Sequence, residues 1–311
     1  AQAEAIADLI DATSQAAARS AVRSLQGAFS TKVNTVLEQL IHLRLHVEAA
    51  IDFPEEEIDF LADGKILKLL DEVAASVTAV QQSARQGQLL REGLQVVIAG
   101  KPNAGKSSLL NALAGIERAI VTDIAGTTRD VLHEKITLNG LPITLTDTAG
   151  LRETGDIVEQ EGIRRAMKEI EQADLLLLVY DLSQNEDPLQ LAQHYFAEHI
   201  EPKRLMLIGN KCDLTGVQAA ISDFNGFRHI TVSAKQETGV QSLIEAITAH
   251  AGFQPEEDAF IARTRHLDAM KRTQQYLAEA REQLVVYHAG ELVAESLRLA
   301  QNALGEITGD F

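Results

Sequence analysis

Cysteine is almost missing from this chain. One thiol, Cys212, in 311 residues leaves no partner for an internal disulfide and suits a reducing compartment. Long apolar runs are missing too. With no stretch of about eighteen hydrophobic residues, no membrane-spanning helix is expected, and the reading is a cytoplasmic protein away from membranes. Positive charge is scarce: 28 Lys and Arg stand against 45 Asp and Glu, a formal net charge of −17. Nucleic-acid binders usually carry a basic face, so this balance argues against a surface built to coat phosphate backbones, unless a local patch or a partner chain supplies one. Internal repeats and low-complexity segments are absent. The first residues, AQAEAIADLI, carry no Met, no basic n-region and no small-residue cleavage site, so they do not read as a signal peptide. The chain opens inside a helical pattern and stops at Thr308-Gly309-Asp310-Phe311, and is therefore expected to be a piece of a longer protein.

What is present falls into two styles of sequence, roughly two domains' worth of chain. Residues 1–92 are rich in Ala, Leu, Gln and Glu. Leu25, Phe29, Val33, Val36, Leu37 and Leu40 recur at spacings of three and four, which predicts an amphipathic helix. Asp52-Phe53-Pro54-Glu55-Glu56-Glu57 interrupts it, and a second helix is predicted over about residues 65–90. Residues 255–311 return to the same style, with Leu267, Met270, Leu277, Leu284 and Leu292 at helical spacings. Between them, residues 93–254 show short apolar runs separated by glycine-containing loops: Leu94–Ala99, Glu134–Leu138, Ile143–Asp147, Leu175–Asp181, Leu205–Gly209 and His229–Ser233. Asn139-Gly140 is a two-residue hairpin signal between the second and third. The other runs alternate with helical stretches, as in βαβ units. The expected architecture is a mixed, mostly parallel six-stranded α/β domain at 93–254. It is inserted into an all-α bundle formed by 1–92 and 255–311.

The α/β part carries the chemistry. Gly100-Lys101-Pro102-Asn103-Ala104-Gly105-Lys106-Ser107 fits the phosphate-binding pattern G-x-x-x-x-G-K-[ST], directly after a strand and opening a helix that continues through Ser108 to Ala114. Glycines let backbone N–H groups approach phosphate oxygens, the helix N-terminus adds positive potential, and Lys106 reaches the β- and γ-phosphates. Ser107 offers a hydroxyl to Mg²⁺. Asp147-Thr148-Ala149-Gly150 ends another strand, where the carboxylate can sit near Mg²⁺ through water and the glycine amide near the γ-phosphate. Thr127-Thr128 lies between loop and hairpin, where a switch segment would set a Thr128 hydroxyl on Mg²⁺. Asn210-Lys211-Cys212-Asp213 ends a further strand. Asp213 can accept both N1–H and N2–H of guanine, a pairing adenine does not match. Ser233-Ala234-Lys235 follows the last strand and can close over the base. Asn210 and Asp213 alone would be an ordinary turn. In this order, after successive strands, the set points to a site for GTP or GDP with Mg²⁺.

One substitution shapes the mechanism. Leu151 follows Asp147-Thr148-Ala149-Gly150, where Ras-like enzymes carry the Gln that orients the attacking water. Hydrolysis then needs another acid–base group and another positive charge. Glu159 and Glu161 in the switch II region, and Arg129 and Arg152 flanking the switches, are the candidates, each of which could equally be a solvated surface charge.

These strings, together with Ala49-Ala50-Ile51-Asp52-Phe53-Pro54, the run Val121-Thr122-Asp123-Ile124-Ala125-Gly126-Thr127-Thr128-Arg129-Asp130, and Leu151-Arg152-Glu153 after the Asp147–Gly150 motif, resemble the MnmE (TrmE) family of bacterial tRNA-modification GTPases over essentially the whole chain. The resemblance implies a K⁺-stimulated GTPase activated by dimerisation of its G domains. By matching positions, the side chains of Asn103 and Thr127 and the carbonyls of Thr122 and Ile124 would hold K⁺ beside the phosphates, doing the work of an arginine finger. Asp123, Ala125 and Gly126 complete that nucleotide-facing loop, and Glu159 falls where the family orients water, which places it ahead of Glu161. The family works with the flavoprotein MnmG (GidA) on C5 of wobble uridine in tRNA, using a folate-derived one-carbon unit. The folate-binding, dimer-forming domain would lie upstream of Ala1, and a Cys-x-Gly-Lys end beyond Phe311. Folate binding is therefore expected of the full-length protein only. Two rivals remain: a ribosome-assembly GTPase of the Era or Der type, which would carry a basic RNA-binding module, and a non-catalytic scaffold with a degenerate site.

Overall fold

The computed structural model describes residues 2–10, 12, 14–52, 64–116, 133–147, 164, 167–196, 201–254, 260 and 262–309. It divides into two compact units, one made of Ala1–Arg91 with Glu256–Phe311, the other of Glu92–Pro255.

The first unit is helical. Helices α1 (Gln2–Ile10), α2 (Gln15–Leu25), α3 (Ala28–Asp52) and α4 (Lys65–Glu92) come from the N-terminal stretch. Thr264–Glu282 and Gly290–Thr308 (α9 and α10 in chain order) come from the C-terminal one. Phe29, Val33, Val36, Leu40, Leu43 and Val47 of α3 share one buried core with Ile66, Leu70, Val73 and Val77 of α4, Met270 and Leu277 of α9, and Val293, Leu297 and Leu304 of α10. The spacing of three and four places these groups on one stripe of each helix. Phe29 stacks on Phe260 with ring centroids 4.9 Å apart, tying the two stretches of chain together.

Two details differ from the periodic reading. Leu25 does not continue into the helix of Phe29, because the chain breaks at Gln26-Gly27, with Gly27 at φ 85°. Leu292 is 53% exposed and Val293 is buried in its place. A π-helical turn, Gln283–Tyr287, and the left-handed His288 (φ 50°) shift the register between Leu284 and α10. Side-chain spacing counts residues evenly, and an extra residue in one turn rotates everything after it.

Among its described residues the second unit carries a sheet of seven strands: β1 (Leu94–Ala99), β2 (His133–Leu138), β3 (Leu141–Asp147), β4 (Leu175–Asp181), β5 (Leu205–Asn210), β6 (Ile221–Phe224) and β7 (Phe227–Thr231). Their spatial order is β2-β3-β1-β4-β5-β7-β6, parallel except for the β2–β3 and β6–β7 hairpins at the two edges. The seventh strand, β6, corrects the expected six. Its four residues are all exposed, so it has no apolar run to announce it; the signal was Asn225-Gly226, both at positive φ (54° and 83°), the backbone of a type I′ hairpin turn. Asn139-Gly140 makes the corresponding turn between β2 and β3 (φ 50° and 85°). The central strands are buried on both faces, as parallel strands covered by helices must be. The covering helices include α5 (Lys106–Ile116), α6 (Pro188–Phe196) and α8 (Val240–His250), while Cys212–Thr215 forms a single turn, α7.

Candidate nucleotide site

The chain leaves β1, fills the β3 side of the sheet, then crosses back to β4 on the other side of β1. In open α/β sheets such a reversal opens a crevice at the carboxyl ends of the strands. The loop Gly100–Gly105 sits at that point. Its companions line up along the same edge: Asp147 ends β3 and pairs in register with Ile98 of β1, and Asp181 ends β4 directly across from Asn210 of β5.

The loop is shaped by glycine where nothing else fits. Gly100 has φ 148°, and a Cβ there would lie 2.0 Å from the Val179 carbonyl oxygen. Gly105 has φ 96°, and its Cβ would lie 2.1 Å from Asn210 Nδ2. Both values lie in backbone regions that L side chains rarely adopt. Lys106, only 6% exposed, folds its ammonium inward, where Nζ donates to the carbonyls of Gly100 (2.8 Å) and Lys101 (3.0 Å). The first turn of α5 turns its backbone amides toward the loop, as a helix N-terminus does, and Ser107 and Ser108 stand exposed there. A concave run of N–H groups with a buried lysine is a fitting cradle for phosphate oxygens.

Asn210 unites the site. Only 2% exposed, its Nδ2 donates to the Ala104 carbonyl at 2.9 Å, and its Oδ1 accepts the Ala234 amide at 3.0 Å. One side chain thus joins the phosphate loop to the loop expected to close over the base. That second loop is closed by reciprocal backbone bonds between Ser233 and Thr238 and by the Gln236 amide on Ser233 Oγ (3.2 Å). The Cys212 amide donates to Val232 at 3.1 Å, seating α7, with Asp213 in its first turn, against the end of β7. Cys212 is buried, and burial first, with the Asp213 charge second, pushes its thiol above the usual value. It packs; it is not poised to react.

The structure therefore brings together Asn103, Ala104, Gly105, Lys106, Ser107, Ser108, Asp147, Asn210, Lys211, Asp213, Ser233, Ala234 and Lys235 at one edge of the sheet. Thr122, Asp123, Ile124, Ala125, Gly126, Thr127, Thr128, Thr148, Ala149, Gly150, Arg152 and Glu159 lie outside the described residues, as do Arg129 and Glu161. Among the described residues no cluster of three His, Cys, Asp or Glu could hold a metal ion. The motif reading passed over Asp181, Ser183 and Glu186. Asp181 was visible only as the end of an apolar run.

A family model described as the MnmE helical domain matches residues 1–311. The chain belongs to the MnmE family. It is 89% identical over 310 residues to the tRNA modification GTPase MnmE of Acinetobacter baumannii (strain AYE), covering all of this chain and 68% of that protein. It is 60% identical over 324 residues to the tRNA modification GTPase MnmE of a Psychrobacter species (strain PRwf-1), covering 70% of that protein. Among solved structures, the G domain of the Thermotoga maritima FeoB iron transporter is similar at 27% identity and a TM-score of 0.38, over 51% of this chain and 98% of its own. As a member of this family the chain is a P-loop GTPase, a GTP hydrolase with a helical domain of the MnmE type. No helix among the described residues is long and apolar enough to cross a membrane.

Proposed function

We propose that this chain is the K⁺-stimulated, dimerisation-activated GTPase part of a tRNA-modifying assembly, working in the cytoplasm with the flavoprotein MnmG on the wobble uridine. The division of labour follows the proposed domains: 93–254 binds and hydrolyses GTP, while 1–92 with 255–311 form the helical scaffold. The observation that carries the reading is Asn210, whose one side chain holds the phosphate loop and the base-closing loop together. A site built that way would set a phosphate cradle on one side of a nucleotide and a guanine-reading carboxylate on the other. The family's name, tRNA modification GTPase, supports tRNA as the substrate of the complex.

In this reading the amides of Asn103 to Ser108 and the ammonium of Lys106 bind the phosphates, and Asp213 accepts the two guanine N–H groups. Ser107 and Thr128 would hold Mg²⁺, with Asp147 acting through water; the ion, when bound, neutralises charge on the phosphates. Asn103, Thr122, Ile124 and Thr127 offer the hard oxygen ligands that suit K⁺. Lys211, Ser233, Ala234 and Lys235 frame the base, while Asp123, Ala125, Gly126, Thr148, Ala149 and Gly150 complete the switch loops. Glu159 orients the attacking water in place of the missing Gln, and Arg152 is a source of positive charge nearby. The folate one-carbon donor belongs to the full-length protein.

The K⁺ assignment is tested by GTP turnover in KCl and in NaCl at equal ionic strength. Turnover should fall by at least tenfold in NaCl, and equal rates would remove K⁺ from the mechanism. For Glu159, Glu159→Ala should leave the GTP dissociation constant within about threefold while slowing turnover by about a hundredfold or more, the ordinary size of a general-base contribution. Lost binding with normal chemistry would assign Glu159 to structure instead.

A further inference from the structure

The residues from 181 to 187, from the last residue of β4 to the start of α6, are joined to both ends of the nucleotide site, yet none of them belongs to a nucleotide-binding motif. Lys211 Nζ donates to Asp181 Oδ2 at 2.6 Å. The other carboxylate oxygen, Oδ1, accepts the Ser183 amide at 2.9 Å and the Ser183 hydroxyl at 2.7 Å. The carboxylate is thus held at both oxygens. The backbone is secured in parallel: Asp181 lies opposite Asn210 in register, and the Leu182 amide donates to the Asn210 carbonyl at 3.0 Å. At the far end of the same loop Glu186 Oε1 meets Lys101 Nζ of the phosphate loop at 2.6 Å. The loop between is folded on itself by hydrogen bonds from the Gln184 amide to the Asp181 carbonyl and from the Glu186 amide to the Gln184 carbonyl, and the Asp187 carboxylate caps α6 by accepting from the Leu189 amide.

The backbone of Lys211 makes the ion pair consequential. It is a non-glycine residue in the left-handed conformation, φ 65° and ψ 35°, immediately before the turn that carries Asp213. That conformation is disfavoured for a lysine and persists where surrounding contacts hold it. Its φ and ψ set the direction in which α7 leaves β5, and so where the Asp213 carboxylate lies. Lysine is long, strongly hydrated and rich in rotamers, so a free Lys211 would gain by returning to water. The pair with Asp181 opposes this, and it is partly shielded, with side chains 13% and 30% exposed for Asp181 and Lys211. Burial disfavours the charge on Asp181, but the bonds from Lys211 and Ser183 outweigh it and hold the carboxyl below its ordinary value. The Lys101–Glu186 contact, 52% and 21% exposed, is more open to screening by salt.

We propose that Asp181 is a positioning residue for guanine recognition: with Ser183 it fastens Lys211, keeps the left-handed turn after β5, and so aligns Asp213 with the base. This rests on the guanine-nucleotide reading of the site. The role is indirect, since Asp181 acts through Lys211.

The test uses the 311-residue chain and its isosteric variant Asp181→Asn, with a fluorescent GDP titrated directly and inosine diphosphate as competitor. Inosine lacks the N2–H that Asp213 would accept, so the ratio of the two affinities reports the alignment of Asp213. Asp181→Asn should weaken GDP by about tenfold or more, the scale of losing a charge-assisted hydrogen bond. It should narrow the GDP-over-inosine preference, and leave turnover at saturating GTP within about threefold. Ser183→Ala, which removes one donor to Oδ1, should move both affinities the same way by less. If Asp181→Asn does not fold, Ser183→Ala carries the test alone. Unchanged GDP affinity, or equal losses for GDP and inosine diphosphate, overturns the proposal. Failure of the unsubstituted chain to bind GDP overturns the guanine-nucleotide reading itself, a distinct result.

Discussion

Asn210→Ala should lower nucleotide affinity by about a hundredfold or more while the protein remains folded. The side chain lies buried between two backbone groups, the Ala104 carbonyl and the Ala234 amide, and removing it leaves both unsatisfied in a site closed to water. An orphaned buried donor or acceptor costs about 1–3 kcal/mol, so the two together weaken the closed site by about 2–6 kcal/mol. The loss falls on the arrangement that binding requires, because the two loops it joins lie at the end of the sheet rather than in its core. Asn210→Asp separates the halves of the contact: a carboxylate still accepts from the Ala234 amide but faces the Ala104 carbonyl without a donor. Titration with a fluorescent GDP should rank the proteins as unsubstituted, then Asp or Ala far below. An Ala variant that binds like the parent would mean that the two loops are held apart from Asn210.

Gly100→Ala should be the most damaging change to the fold of the nucleotide-binding unit. The added methyl would sit 2.0 Å from the Val179 carbonyl oxygen, well inside van der Waals contact, and the obstacle is backbone in a neighbouring central strand. The residue is also at φ 148°, a region held almost solely by glycine. Both strain terms act at the junction of β1 and the phosphate loop, where β1 and β4 pair in register at Ala99 and Leu178. A cost of about 3 kcal/mol or more is expected, corresponding to a fall of about 6–12 °C in the melting of a unit this size. Calorimetry should show that transition lowered. A variant melting with the parent and still binding GDP would show that β1 and β4 can part without harm.

The two substitutions mark where reading the chain as a string works and where it stops. The phosphate loop is contiguous, and its chemistry is local: two glycines, a lysine and a hydroxyl at set intervals after a strand demand one kind of turn. The same holds for Asn139-Gly140, whose residue types accept the positive φ of a tight hairpin. Each of the six apolar runs coincides with a strand, although the last, read as His229–Ser233, begins earlier as β7, Phe227–Thr231. β6 escaped because none of its residues is buried; backbone pairing at an edge leaves no hydropathy pattern. Leu292 was misplaced because a π-helical turn alters the count of residues per turn, and nothing in residue spacing announces it.

Residue types and their spacing were enough to establish the nucleotide chemistry, the α/β class of the middle of the chain and the helical character of its ends. These depend on backbone preferences and apolar periodicity, which act over a few residues. Only the folded sheet decided that Asn210 bridges Ala104 and Ala234, and that Asp181 and Ser183 hold Lys211. Those partners are 106, 24 and 30 residues apart for the Asn210–Ala104, Asn210–Ala234 and Asp181–Lys211 pairs. Which groups meet across such distances follows from strand order and register, with β4 beside β5 and Asp181 level with Asn210, and from the need of every buried polar group for a partner.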